Sequence, residues 1–286
     1  MKQTAFGVVA YLALAFGLAW AVWMIPLWLG LSPQSALYPT VILIGAFAPA
    51  LACFVVRKWV TREGFADAGL NPGKWPYYLW ALLIPLALAF AIAALAPHLG
   101  QPAPDFSLAH APALLPGAAM PRSLPVVIAV LMLYTIVTTP ILWGEEFGWR
   151  GYLQLRLFAS RPLLAAIATG LIWGVWHYPL LMLGTELPGH PQLVLVIFPV
   201  YTVLLSIVFG WLRLRSGSIW PSSLSHSAVN HLRSPLIALL FPAVADRLGL
   251  TLIGLAVLGV IALAVVAAGG LVTPHNEFPS PNEGRG

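Results

Sequence analysis

Eight apolar runs, each at least twenty residues long, fill most of this chain: 5–31, 37–56, 76–97, 124–143, 162–184, 193–212, 219–243 and 249–272. About 20 apolar residues in an α-helix cross a hydrocarbon core about 30 Å thick. No backbone polar group can stay unpaired there, so such runs fold as helices. The pattern predicts an all-α, polytopic membrane helical bundle of about eight transmembrane helices. Pro26, Pro49, Pro85, Pro140 and Pro179 fall inside runs, where membrane helices accept proline as a kink. Only 8% of the residues are charged, against about 25% in a soluble domain, which excludes an ordinary water-soluble fold.

The first run is too long for the core of a signal peptide and reads as an uncleaved spanning helix. Residues 274–286 are polar and rich in Pro, Gly and Asn, and read as a disordered tail. That leaves 1–273 as a single integral membrane domain, with no visible internal repeat. A transporter is disfavoured for want of that repeat.

Sidedness follows from the basic residues. With the N-terminus inside, Lys2, Arg57, Lys58, Arg62, Lys74, Arg150, Arg156, Arg161, Arg213, Arg215 and Arg285 fall on the cytoplasmic side, eleven of the fourteen Lys and Arg. Arg122 and Arg247 fall outside, and Arg233 lies within a span. Both termini are therefore expected in the cytoplasm, and the loop 101–122 outside. The fit is to a multi-pass protein of a prokaryotic plasma membrane, in contact with membrane lipid. No basic stripe suits nucleic acid. The single cysteine, Cys53, permits neither a disulfide nor a cysteine metal site, and reads as an inert buried thiol.

Charge in such a chain is costly and marks function by default. Three polar clusters interrupt the apolar runs: Glu145-Glu146 with Arg150, Trp173 with His177, and His226 with Asn230, His231 and Arg233. Glu146 and Arg150 are four apart, so on a helix they share a face and can pair. Glu145 is turned roughly 100° from Glu146 and is free to face a cavity. His226 and Asn230 are also four apart.

Glu145 and His177 lie 32 apart around the turn signal Arg161-Pro162. A helical hairpin there sets both about 24 Å above the turn. Residues 124–158 as one helix would span about 52 Å, too long for the membrane core. A break near Thr138-Thr139-Pro140, with a new helix from Trp143, removes that conflict. All three clusters then converge on a wet cavity open to the cytoplasm.

A buried glutamate can act as general base, a histidine beside it can share in activating water, and a second histidine with an amide can bind an oxyanion. That set suits amide hydrolysis. Each residue also has a plainer reading. Glu146–Arg150 can be a structural ion pair, His177 and Asn230 can join helices, and His231 can be structural. Arg233 can snorkel or neutralise a carboxylate. Most tryptophans read as interface anchors and packing. Ser225 and Ser227 have no base fixed beside them.

At these residues the chain resembles the CPBP (Abi/CAAX prenyl protease) family of intramembrane glutamic endopeptidases. Its motifs are a double glutamate with arginine four after the second, then Phe-x-x-x-His, then His-x-x-x-Asn. Glu145, Glu146 and Arg150 match the first, His177 the second and His226 with Asn230 the third. Trp173 stands where the phenylalanine is usual; it keeps a large aromatic ring, so changed packing is expected, not lost activity. The resemblance covers a core of about 124–235.

The resemblance implies a peptide hydrolase without a cofactor, reached from the cytoplasmic side and acting on a membrane-associated or lipidated peptide. Glu145 and His177 would activate water. His226 and Asn230 would form the oxyanion hole, and Glu146 and Arg150 would support the site. Two alternatives stay open. One is a zinc protease with Glu145, His177 and His226 as ligands; the other is a non-enzymatic immunity or binding protein on a degenerate protease fold.

Overall fold

The computed structural model describes residues 2–31, 35, 37–110, 123–183, 186–187 and 189–271. The tail expected at 274–286, much of the expected 101–122 loop, and Arg122 and Arg285 lie outside the described residues. All regular structure among the described residues is helical. In chain order it comprises α1 (Thr4–Leu29), α2 (Tyr38–Val60), α3 (Pro76–Leu99), α4 (Leu124–Arg156), α5 (Pro162–Trp176), α6 (Pro191–Ser216), α7 (residues 220–240) and α8 (Leu248–Ala267).

Six of these, all but α5 and α7, are long and apolar enough to cross a membrane, which makes this a multi-pass integral membrane protein. Helix α5 has 15 residues and runs, after a break at His177, into the short helix Tyr178–Met182. Helix α7 begins Trp-Pro-Ser-Ser-Leu-Ser-His-Ser-Ala, too polar to face lipid. It escapes lipid by position. It packs against α3, α4 and α6 at once, and Pro221 to Val229 are all buried. The apolar helices thus form a sleeve around one polar helix.

Local signals explain the boundaries. Proline occupies the first or second position of α2, α3, α4, α5, α6 and α7, where its missing N–H removes nothing and its φ suits the first turn. Helix α6 stops at Gly217, whose φ of 75° is left-handed.

The expected break at Thr138-Thr139-Pro140 is absent: α4 runs without interruption through Pro140 and both glutamates. Side-chain hydroxyls support the turn that the proline weakens. Thr138 donates to the Tyr134 carbonyl at 2.8 Å, and Thr139 and Ser227 donate to the Thr135 carbonyl at 2.9 and 2.8 Å. Membrane helices use hydroxyls in this way around proline. The length conflict is met at the far end instead. Trp149 to Leu153 form a π-helical stretch that is fully buried, so the last turns of α4 are sheltered by protein and need no place in the lipid.

Candidate active site

Two pairs of glycines bring the site helices together. Gly144 and Gly148 bracket the glutamates. A Cβ on Gly148 would come within 2.7 Å of the Pro49 carbonyl oxygen, and one on Gly144 within 2.9 Å of the Phe47 ring. This face of α4 therefore lies directly on α2, and the glutamates turn the other way. Gly170 and Gly174 do the same for α5: a Cβ there would come within 2.6 Å of the Val203 Cα and 2.7 Å of the Pro199 Cα on α6. Small residues four apart let membrane helices approach at backbone distance. Trp173 and His177 are held in place by that contact. Sequence reading passed over both glycine pairs, although their spacing was visible.

Glu146 is fully buried and takes two partners on one oxygen. Arg150 Nη1 donates to its Oε1 at 2.9 Å, and His226 Nδ1 lies 3.0 Å from the same atom. An ionised carboxylate only accepts, so His226 Nδ1 carries the proton. Neutral His226 then presents a bare Nε2, which accepts; it can donate there only as the imidazolium. The Arg150 guanidinium, also fully buried, sits 4.7 Å from the Trp173 ring centroid and 5.1 Å from that of Phe209. The aromatic faces give part of what its unpartnered Nε and Nη2 lack.

Glu145 points elsewhere. It is 6% exposed, and its Oε2 accepts a 2.8 Å hydrogen bond from the Trp173 indole N–H. A phenylalanine at 173 could not donate this bond. Trp173 also meets His226 edge to face at 5.1 Å and His177 at 5.6 Å. One side chain therefore touches Glu145, Arg150, His177 and His226. Sequence reading credited it with packing alone.

His177 sits at the break after α5, among the rings of Trp23, Trp173, Trp176 and Phe198. Its Nδ1 lies 2.9 Å from the Trp173 carbonyl. A carbonyl only accepts, so Nδ1 again carries the proton and Nε2 keeps a free lone pair. His177 is partly accessible, unlike the glutamates. Trp173, one turn before His177, joins it to Glu145.

Asn230 is not brought into this cluster. It is exposed while His226 is buried, and no hydrogen bond joins it to Glu145, His177 or His226. The helix takes π geometry at Val229–Arg233, the stretch in which Asn230 faces outward. His231 belongs to a hydroxyl group, with Nδ1 at 2.8 Å from Thr138 Oγ1 and 3.2 Å from Ser227 Oγ. Ser227 spends its proton on the Thr135 carbonyl.

Among the described residues no three His, Cys, Asp or Glu side chains gather as a metal site, and Glu145, His177 and His226 do not do so. Cys53 is buried and free.

Charged residues that the sequence offered only as signs of sidedness clamp the end of α4. Arg57, fully buried, donates to Asp67 at 2.7 Å and to the Gly151 carbonyl at 2.6 Å. Arg156 pairs with Glu63 at 2.7 Å and Asp67 at 3.2 Å, and Arg213 donates to the Asp67 carbonyl at 2.7 Å. Burial alone would raise the Asp67 pKa. The hydrogen bond and charge of Arg57, with Arg156 behind, outweigh burial and hold it below the usual aspartate value.

Residues 125–232 match the family model described as Type II CAAX prenyl endopeptidase Rce1-like. The chain carries an Rce1-like domain. All of Glu145, Glu146, Arg150, Trp173, His177, His226 and Asn230 lie within that domain, on α4, the end of α5 and α7. Comparison with curated proteins finds no match. The matched stretch contains the polar core of the bundle.

Proposed function

We propose that this protein is an intramembrane endopeptidase that hydrolyses a membrane-associated peptide with water activated by Glu145 and His177. The observation that carries this reading is the division between the two glutamates. Glu146 is consumed by Arg150 and His226, whereas among the described residues Glu145 takes the Trp173 N–H alone, and Trp173 links it to an imidazole with a free Nε2. A water between Glu145 and His177 gives its proton to one of them as its oxygen attacks the peptide carbonyl carbon. The tetrahedral intermediate collapses, the C–N bond breaks, and the stored proton passes to the leaving amine. His226, when it carries a proton on both nitrogens, would donate Nε2–H to the oxyanion. Asn230 would join it on substrate binding, with its exposed amide turning inward.

The basic residues favour an orientation with the N-terminus inside and eight crossings, in which α5 with its short extension and α7 complete the bundle. The Arg57–Asp67–Arg156 clamp then faces the cytoplasm.

The test is cleavage of membrane peptides by purified protein in lipid nanodiscs, with products identified by mass spectrometry. Wild type is expected to cleave, and Glu145→Gln to bind without cleaving. Equal cleavage by the two, or cleavage by neither with biological function intact, would refute the protease reading. Activity lost to a zinc chelator and restored by zinc would replace the metal-free mechanism with the zinc alternative. Comparing lipidated and bare forms of each cleaved peptide decides whether a lipid is required.

A further inference from the structure

A cavity of about 500 Å³ lies at the end of the bundle opposite the Asp67 clamp. Its walls come from the C-terminal part of α3, the N-terminal part of α6, the end of α7 and the start of α8, with Glu186, Leu187, Ala245 and Arg247 from the segments between helices. Most of the lining is apolar, including Leu88, Ile92, Ile237 and Leu250, all buried. Two guanidiniums, Arg233 and Arg247, interrupt it, opposed by one carboxylate, Glu186, which lies in the field of both. One positive charge is left over. Arg233 donates to the Tyr201 hydroxyl and has its Nε shielded and unpartnered. Arg247 is exposed. Phe198, in the cavity wall, meets His177 at a tilt with ring centroids 5.0 Å apart.

We propose that this cavity binds a single-chain amphiphile with an anionic head, the head held by Arg233 and Arg247 and the chain lying along Leu88, Ile92, Ile237 and Leu250. Three observations carry it. The size is that of a small-molecule site. Guanidinium forks bind carboxylate and phosphate in two-point fashion, and do so strongly where water is scarce. Most of the wall is helical, and there the backbone groups are already paired. An extended peptide would bring unmatched N–H and C=O groups into the cavity; an alkyl chain brings none. The site does not depend on the hydrolytic reading, although its wall reaches His177.

The test uses the full chain in nanodiscs of uncharged phosphatidylcholine, with a dansyl-labelled undecanoic acid as fluorescent probe. Dodecanoate should displace the probe, and dodecanol should do so about tenfold less well or worse. Dodecyl phosphate in parallel decides which anionic head is preferred, and displacement by either anion over the alcohol supports the site. Arg247→Gln and Arg233→Gln should each weaken binding about tenfold. Thr251→Phe, which fills the cavity from α8 without touching a charge, should block it. Glu145→Gln should bind as wild type does, so loss of hydrolysis and loss of this site are read separately. Equal displacement by dodecanol and dodecanoate would overturn the proposal. So would wild-type binding in both Arg247→Gln and Thr251→Phe, or displacement by a free-carboxylate tetrapeptide where dodecanoate fails.

Discussion

Helix α4 carries charge at two places about two turns apart, and the two are built from the same residue types to opposite ends. At Glu146, Arg150 and His226 every partner is nine-tenths buried or more. At the tip, Arg57 and Arg156 meet Asp67 and Glu63, whose side chains are 44% and 31% exposed. The tip cluster is wet on its acidic side and fastens a loop to the end of a helix. The inner cluster has nowhere to shed charge, so each member exists only through the others. What distinguishes Glu145 is that it belongs to neither. It is buried beside the inner cluster without a cation of its own, which is the arrangement expected of a group kept for chemistry.

Four substitutions probe that contrast. Glu145→Gln has the largest expected effect, a fall in peptide cleavage of about 10²–10⁴-fold, the usual worth of a general base, with thermal unfolding in detergent unchanged. A matching loss of stability would move Glu145 into the inner ion cluster. Arg150→Met should cost about 3 kcal/mol or more of stability, because it leaves a buried carboxylate short of its main partner. Unfolding like wild type would mean that His226 alone suffices for Glu146.

Trp173→Phe keeps the aromatic contacts with Arg150, His177 and His226 but removes the N–H held by Glu145. A buried acceptor left unsatisfied costs about 1–3 kcal/mol, so cleavage should slow by about 10- to 100-fold while the helices stay packed. Full activity in this variant would return Trp173 to the packing role that its ring alone suggests.

Asp67→Asn is the mildest change, about 1 kcal/mol or less, and its effect should shrink in high salt as screened surface pairs do. The pH dependence has a definite sign. Asp67 has a folded pKa below its unfolded value, so its contribution is complete above the unfolded value near 3.8. It is lost as pH falls from there through the lower folded value. Wild type should lose stability across that acidic window, and Asp67→Asn should lose less. An identical acid profile for the two would remove Asp67 from the clamp.

Much of the site was legible because i, i+4 spacing and hydrophobic run length are properties of single helices. Eight runs forecast eight helices, although length and composition alone carry only six across a membrane. Glu146 and Arg150 pair as their spacing requires, since both lie on one helix and nothing separates them. His226 and Asn230 are also four apart, yet Asn230 is exposed while His226 is buried, and no residue in that stretch announces the difference. The proline at 140 misled in the other direction, because the hydroxyls that rescue its turn include Ser227, 87 positions away on α7.

The sequence by itself determined that the chain is a helical membrane protein and that three polar clusters interrupt its apolar runs, because hydrocarbon accepts no other backbone and tolerates no idle charge. Tertiary structure alone decided which charge meets which. Glu146 takes His226, Glu145 takes the Trp173 N–H, and the arginines at the tip take Asp67. The first two are contacts between helices and the third joins a loop to helix ends, and a linear pattern of hydrophobicity carries no record of which segments meet.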